Sequence, residues 1–336
     1  MKRNPEAVAE AIREARSIAI VSHVNPDGDT IGCAAAMRLG LLSLGKEVEM
    51  YCEDPVPEYL AFLPGVYMFR TPGENDGPFD LLLSVDVSDI KRMGKCEALR
   101  KVSRKTAQID HHGTNPEFME INSVDGDVPA ACVLVREQLK ALGVELTEDI
   151  AKCLYTGIST DTGNFAFSTT SAECFEVMSE LIQAGLPLAE LNRMLFRVKS
   201  RPHIKLLGRA LESLTFRGYG QIAVMKLTQK DFEDSNATGE HADTIVNYGL
   251  DTIGTTMALL ARESTGGMIK MSLRAKEPAR VDDVAQIFNG GGHEQAAGIT
   301  MPGTLDEATE RVLAEMERKI NPGGADQRGK IGYAQG

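Results

Sequence analysis

The sequence contains no tryptophan, and only 5% of its 336 residues are aromatic. It has no apolar run long enough to span a bilayer, because the most apolar stretch, residues 33–44, is interrupted by Arg38 and Gly40. Acidic residues outnumber basic ones, and the formal net charge of −12 argues against a protein that wraps long duplex DNA. Residues 1–16 lack the apolar core of a signal peptide, so we expect a cytoplasmic protein that does not contact a membrane.

Signatures of several other chemistries are also missing. The six cysteines form no Cys-x-x-Cys pair, so we expect buried apolar side chains in a reducing compartment. No Gly-x-Gly-x-x-Gly follows a predicted strand and no Gly-x₄-Gly-Lys-Ser/Thr occurs, so nothing indicates a nicotinamide or ATP site. The absence of Gly-x-Ser-x-Gly excludes the nucleophile turn of serine hydrolases.

The length fits two domains, since a domain contains about 150 residues. In the first half, short apolar runs such as residues 17–22 and 80–86 alternate with helical patterns, which predicts an α/β fold with a doubly wound, mainly parallel sheet. We expect this domain over residues 1–185 and a helical linker over 186–213. A second, smaller mixed α/β domain is expected over 214–320, followed by a disordered tail over 321–336.

Aspartate and histidine residues follow several of these predicted elements. They are His23, Asp27 and Asp29 after the first strand, Asp86 and the triplet Asp110, His111 and His112 at the ends of later strands, and Asp161 after a helix. Ligands of open parallel sheets bind beyond the carboxyl ends of the strands, so we expect these loops to converge. One such segment alone could be a turn cap, but its repetition at a second strand end favours a metal site.

Carboxylates and imidazoles without thiolates suit Mn²⁺ or Mg²⁺, while Zn²⁺, Co²⁺ and Fe²⁺ remain open. Four aspartates, Asp27, Asp29, Asp86 and Asp161, carry four negative charges, which two divalent cations balance. A single cation would leave a buried excess of negative charge, which is costly. The residues therefore predict a centre with two cations.

These motifs resemble a known family. The pattern His23-x-x-Pro26-Asp27-x-Asp29, together with Asp86, the Asp-His-His triplet and Asp161, resembles the four motifs of the DHH phosphoesterases. Residues 288–298, with the core Gly-Gly-Gly-His, resemble the signature of the associated DHHA1 domain, and the resemblance covers about residues 15–320. Within the family, the length and layout are similar to the NrnA-type nano-RNases and 3′-phosphoadenosine 5′-phosphate (pAp) phosphatases. Cys33 departs from the pattern, because the family usually has serine there.

The resemblance implies a role for each motif residue. One Mn²⁺ would be held by His23, Asp27 and Asp86, and the other by Asp29, Asp86, His111 and Asp161, with Asp86 shared. His112 would face the substrate phosphate, and Asp110 would orient a histidine. In the second domain, the substrate-binding residues would be Arg274, Gly290, Gly291, Gly292 and His293, the glycines acting through their N–H groups.

The expected activity is hydrolysis of short single-stranded oligoribonucleotides to mononucleotides, and of pAp to AMP, by a two-metal mechanism with Mn²⁺. Two alternatives stay open: a phosphodiesterase for cyclic or linear dinucleotides such as c-di-AMP or pApA, and a nucleotide-sensing protein without catalysis. The sequence does not rank the substrates. It also leaves open the native metal, the polarity of degradation and the oligomeric state, a homodimer included.

Overall fold

The computed structural model describes residues 3–320, apart from the side chains of Thr265 and His293. The chain divides into two compact units, with the boundary between Val198 and Lys199. Each unit contains one six-stranded sheet. The predicted disordered tail, 321–336, lies outside the described residues.

The first unit consists of six strands and six α-helices within its described residues. The strands are β1 (Ser17–Val21), β2 (Glu47–Tyr51), β3 (Phe69–Arg70), β4 (Phe79–Val85), β5 (Ser103–Asp110) and β6 (Ile121–Val124). The helices are α1 (Pro5–Glu14), α2 (Gly28–Ser43), α3 (Ala131–Ala141), α4 (Glu148–Asp161), α5 (Ala172–Gln183) and α6 (Leu188–Asn192). Three 3₁₀ segments, Glu58–Leu60, Val66–Met68 and Ile90–Val102, and a π-helical turn, Arg193–Arg197, connect these elements.

The strands of the first sheet lie in the order β3-β2-β1-β4-β5-β6, and every neighbouring pair is parallel. This confirms the predicted doubly wound α/β architecture. The strand order reverses between β1 and β4, and in such sheets the ligand crevice lies beyond the carboxyl ends of the strands at that reversal.

Both faces of this sheet are covered, which explains why its central strands are continuous apolar runs. On one face, Ile18 and Ile20 of β1 share a core with helices α1 to α5. On the other, Ala19 and Val21 pack against the 3₁₀ segment Ile90–Val102. All six cysteines are buried, as predicted. Among the described residues, no helix combines the length and the apolar character needed to cross a membrane.

The second unit has a mixed sheet in the order β11-β12-β10-β9-β8-β7, in which only β8 and β9 are parallel neighbours. Its strands are β7 (Thr215–Arg217), β8 (Ile222–Leu227), β9 (Met257–Ser264), β10 (Met268–Ala275), β11 (Gly291–His293) and β12 (Ala296–Pro302). Its helices are α7 (Arg201–Glu212), α8 (Gln229–Ser235), α9 (Ile245–Leu250), α10 (Asp282–Ile287) and α11 (Leu305–Ile320). The mixed α/β class of this unit is confirmed.

Several elements differ from the sequence-based assignment. Strands β3 and β6 were not predicted, because they are only two and four residues long and β6 contains two polar residues. Strand β12 was hidden by the Gly-rich signature that precedes it.

Candidate metal centre

Three neighbouring strands deliver the first group of predicted residues to one edge of the sheet. His23 follows β1, Asp86 follows β4, and Asp110 is the last residue of β5. Asp86 adopts a left-handed backbone conformation with φ of 57°, and its N–H donates to the Ile109 carbonyl on β5 at 2.9 Å. A non-glycine residue rarely adopts this conformation, and such strain is concentrated at functional sites.

Two helices deliver the remaining aspartates. Asp27 caps α2, because its Oδ1 accepts hydrogen bonds from the N–H groups of Asp29 (3.0 Å) and Thr30 (3.2 Å). Asp29 lies in the first turn of α2, and Asp161 is the last residue of α4.

Glycines allow these two helices to approach closely. A Cβ atom added to Gly157 of α4 would lie 3.0 Å from Asp29 Cα, and closer still to Asp29 Oδ1 and Cys132 Sγ. Gly28 is covered in the same way by the Thr160 side chain. The close contact brings the amino end of α2 and the carboxyl end of α4 together, and with them Asp29 and Asp161.

The first half of the centre contains His23, Asp27 and Asp86. His23 Nε2 lies 3.5 Å from Asp27 Oδ2 and 3.5 Å from Asp86 Oδ2. The other ring nitrogen, Nδ1, lies 2.9 Å from the Val24 carbonyl, which can only accept a hydrogen bond. Nδ1 therefore carries a proton, and Nε2 faces the two carboxylates, where it can hold either a second proton or a cation.

The second half contains Asp29, His111 and Asp161, again with Asp86 alongside. His111 Nε2 lies 3.3 Å from Asp86 Oδ1, 3.5 Å from Asp161 Oδ2 and 3.9 Å from Asp29 Oδ2. Nδ1 lies 3.1 Å from the Val128 carbonyl, so Nδ1 donates here too. The two halves share Asp86, which presents one oxygen to each imidazole.

These groups fit divalent cations. Asp86 is 2% exposed, and its Oδ1 is buried without a hydrogen-bond partner among the described residues. Lone pairs of imidazole and carboxylate repel each other unless a proton or a cation lies between them. Histidines that bind metals through Nε2 usually donate Nδ1–H to a carbonyl or carboxylate, as both histidines do here.

Without a cation, the centre retains protons. Burial disfavours the charged imidazoles, but the facing carboxylates of Asp27 and Asp86 outweigh it and raise the pKa of His23 to about 10. The pKa of His111 also rises to about 10, because Asp86 and the charge of Asp29 outweigh burial. Burial also opposes ionisation of Asp86, yet the two imidazoles that face its oxygens hold its pKa below the usual range.

The remaining carboxyl groups shift in the opposite direction. Burial, followed by the charges of Asp29 and Asp86, raises the pKa of Asp161 to about 9. Burial and the charge of Asp86 raise the pKa of Asp29 to about 6, although its oxygens accept hydrogen bonds from the Ala131 and Cys132 N–H groups at 2.5 and 3.0 Å. Asp161 therefore resists ionisation at neutral pH, because it is buried and because the negative charge around it exceeds what this site compensates.

Asp110 has a different environment. It is fully buried, and its Oδ1 lies 2.8 Å from His112 Nδ1 while its Oδ2 accepts a hydrogen bond of 2.6 Å from the Asn115 side chain. These contacts fix the His112 ring with Nδ1 toward Asp110 and leave Nε2 without a hydrogen-bond partner in the part of the chain that the structure describes. His112 Nδ1 also lies 3.6 Å from Asp86 Oδ1, so the ring stands beside the centre.

Two residues near the centre were not predicted from the sequence. Cys132 lies with its Sγ 3.4 Å from Cys33 Sγ, and Cys33 Sγ is 3.7 Å from Asp29 Oδ1. Partial burial, followed by the charges of Asp27 and Asp161, raises the pKa of Tyr59 to about 12. No sequence signal marked either residue, because both come from elements without a motif.

The predicted substrate residues of the second unit lie on its sheet. Arg274 is half-buried on β10, and its guanidinium donates only to the Leu273 carbonyl, at 3.0 Å, among the described residues. The Gly290 N–H donates to the Ala285 carbonyl at 2.8 Å in this structure, and the role of Gly290 in substrate binding stays a prediction. Gly291 and Gly292 belong to the edge strand β11, as does the backbone of His293, whose side chain lies outside the described atoms.

Gly292 is required by the fold. It has φ of 145°, and an added Cβ would lie 2.6 Å from Ala297 Cα on β12. A larger residue would therefore separate β11 from its neighbour.

Known proteins resemble both units. The DHH family N-terminal domain matches residues 17–158, and the DHHA1 domain matches residues 220–321. A protein named bifunctional oligoribonuclease and PAP phosphatase NrnA from Thermus thermophilus is 35% identical over 320 residues, 94% of each chain. Its namesake from Bacillus subtilis is 25% identical over 304 residues, 90% of this chain and 94% of that protein.

A solved structure agrees with these matches. The crystal structure of an exopolyphosphatase-related protein from Bacteroides fragilis has a TM-score of 0.86 and 25% sequence identity, and the match covers 94% of this chain and 97% of that one. The predicted family is thus confirmed by two domain matches in the expected order, by the relatives and by the fold. The chain belongs to the DHH family, with a DHH domain followed by a DHHA1 domain.

Proposed function

We propose that this protein is a Mn²⁺-dependent phosphoesterase that hydrolyses short oligoribonucleotides to mononucleotides and pAp to AMP. The observation that carries the proposal is the Asp86 carboxylate, whose two oxygens face His23 Nε2 at 3.5 Å and His111 Nε2 at 3.3 Å. One shared carboxylate between two sets of ligands is what a pair of cations requires. The relatives named as oligoribonuclease and PAP phosphatase support the substrate class.

The residues suggest how two cations would be held. His23, Asp27 and Asp86 would bind one, and Asp29, Asp86, His111 and Asp161 the other. When bound, a pair of cations supplies an activated water and stabilises the charge of both the attacking and the leaving oxygen. Oxygen and imidazole ligands without a committed thiolate favour Mn²⁺ for this role.

His112 would act on the phosphate. Asp110 accepts from His112 Nδ1 at 2.8 Å, which fixes the orientation of the ring. Nε2 is then placed to donate a hydrogen bond to a phosphate oxygen or a proton to the leaving alkoxide. Because the Asp110 carboxylate is fully buried and also hydrogen-bonded to Asn115, the ring is oriented before substrate arrives.

Arg274 and the backbone of β11 would bind a phosphate of the substrate. Burial lowers the pKa of Arg274, and no carboxylate of the described residues lies within 4.0 Å of its guanidinium. A half-buried arginine without an ion-pair partner is poorly compensated, so an anionic ligand would relieve it. Gly291 and Gly292 lie on the edge strand β11, where an N–H group that points away from β12 would be a neutral donor for the same anion.

The test is hydrolysis by purified protein with Mn²⁺, using di- to pentaribonucleotides, pAp, and linear and cyclic dinucleotides. We expect mononucleotides from the short RNAs and AMP from pAp. Asp86→Asn should abolish turnover, whereas Glu145→Gln, which changes an exposed carboxylate of the same unit, should leave it unchanged.

The substrates that the protein hydrolyses decide between the proposed function and its two alternatives. Cleavage restricted to cyclic or linear dinucleotides would replace the proposed substrate class with that of a dinucleotide phosphodiesterase. Tight nucleotide binding without any turnover would favour a sensor. For the second unit, Arg274→Ala should raise KM for pAp while the number of bound Mn²⁺ ions stays the same, and an unchanged KM would remove Arg274 from the site.

A further inference from the structure

The candidate metal centre is closed on one side and open on the other. The side chains of Asp29 and Asp86 are 0% and 2% exposed, whereas those of Asp27, His112 and Asp161 are 51%, 36% and 23% exposed. Substrate must therefore enter past the three exposed residues. Any residue that contacts the remainder of the substrate must lie beside this opening.

The turn that follows Asp161 continues directly from one of these exposed residues, and backbone hydrogen bonds fix its conformation. The Asn164 N–H donates to the Ser159 carbonyl at 2.6 Å, and the N–H of Phe167 donates to the Thr162 carbonyl at 3.0 Å. Residues 163–165 all have φ between 56° and 65°. Two of them are not glycine, so the chain maintains an unfavourable backbone in this turn, as functional loops commonly do.

This turn holds an aromatic ring, that of Phe167, at the surface. The Phe167 ring lies against Gly163, since a Cβ at Gly163 would be 2.8 Å from Phe167 Cδ1 and closer still to the outer ring atoms. Phe167 is nevertheless 57% exposed. Its neighbour Phe165 is instead partly buried and contacts Phe175, with ring centroids 5.5 Å apart. Phe165 of this turn therefore packs into the core, whereas Phe167 remains exposed.

We propose that Phe167 is the stacking platform for a nucleobase of the substrate whose phosphate occupies the metal centre. The inference rests on the proposed function, because it assumes a nucleotide substrate. An exposed aromatic ring stacks on any base, so this contact selects nucleotides over phosphoesters without a base and does not select a sequence. Gly163 supports the Phe167 ring, because only a residue without a side chain lets the ring lie against the turn.

Because the natural chain has no tryptophan, a single tryptophan can report the contact. In the Phe167→Trp variant, a dinucleotide bound with Ca²⁺ in place of Mn²⁺ should quench the indole emission, since the base stacks on the ring. The control is Tyr67→Trp. Tyr67 is 85% exposed and lies before β3, the outermost strand of the sheet, which β2 separates from β1, so its variant should show no quenching.

Kinetics provide the second measurement. Phe167→Leu should raise KM for a dinucleotide about tenfold, because one stacked base contributes about that factor or more. The same variant should match the natural protein on an analogue with an abasic sugar next to the scissile phosphate, and Phe167→Tyr should restore the KM. A general loss of structure would affect both substrates equally.

The results distinguish the stacking role of Phe167 from the proposed phosphoesterase function. Unchanged KM in Phe167→Leu, or an unquenched Phe167→Trp variant that still binds the dinucleotide, would overturn the stacking role while the phosphoesterase stands. If the natural protein hydrolyses nothing but the Phe167→Trp variant is quenched, the proposed function fails and the stacking site remains. Absence of both binding and turnover in the natural protein would refute both.

Discussion

Gly157→Ala tests whether the close approach of α2 and α4 builds the metal centre. The new Cβ would lie 3.0 Å from the backbone Cα of Asp29 and would overlap Asp29 Oδ1 and the fully buried Cys132 Sγ. A flexible side chain cannot relieve this overlap, because one of the atoms belongs to the backbone. The two helices must therefore separate by several tenths of an ångström, which moves Asp29 away from Asp161.

Overpacking of this kind lowers the free energy of unfolding by about 1–3 kcal/mol, while replacing glycine by alanine inside a helix raises it by up to about 1 kcal/mol. We expect a net loss of about 1–2 kcal/mol, or roughly 2–8 °C in the Tm of the metal-free first unit. Mn²⁺ affinity should fall as well, because two ligands are displaced.

The control is Gly208→Ala in α7, where nothing lies within 4 Å of the added Cβ. This variant should be as stable as the natural protein or slightly more stable, with unchanged Mn²⁺ binding. Differential scanning calorimetry of the metal-free protein and Mn²⁺ titration calorimetry measure both effects. If Gly157→Ala retained the natural Tm and Mn²⁺ affinity, the helix contact would not determine the site.

Two further predictions follow from the hydrogen bonds and pKa shifts of the centre. Asp110→Asn should lower kcat by about 10- to 100-fold, because the His112 ring loses its charged partner. The variant should still bind the full number of Mn²⁺ ions. A loss of bound metal would instead show that Asp110 is a metal ligand. In the metal-free protein, His23 and His111 (pKa about 10) and Asp161 (pKa about 9) hold protons at pH 8, below these values. Mn²⁺ must displace these protons, so its affinity should rise with pH, and calorimetry in two buffers of different ionisation enthalpy should find about one to three protons released per chain. Release of none would show that the histidines are already neutral.

Much of the site could be predicted because it depends on short-range patterns. The apolar runs of β1 and β4 mark buried strands, and in a parallel sheet their carboxyl ends must share one edge. His23 and Asp86 follow directly from that rule. The grouping of ligands into two sets was implied only by the family resemblance, and the distances of the structure are consistent with it.

The remaining features depend on contacts between distant segments. Nothing in the sequence shows that Gly157 lies against Asp29, because the two residues are 128 positions apart and a helical glycine has many possible causes. Phe167 was missed for a similar reason, since exposure of a phenylalanine is decided by the turn that holds it. The hydrogen bond from the Gly290 N–H to Ala285 could not be predicted either, because a Gly-Gly-Gly run indicates backbone freedom and does not show which N–H groups the fold already uses.

The most direct test of the account is the anomalous scattering of manganese in a crystal of the protein grown with Mn²⁺. The account predicts two peaks at the carboxyl edge of the first sheet, one bounded by His23, Asp27 and Asp86 and the other by Asp29, Asp86, His111 and Asp161. Manganese bound elsewhere, or a single peak that does not involve Asp86, would contradict it.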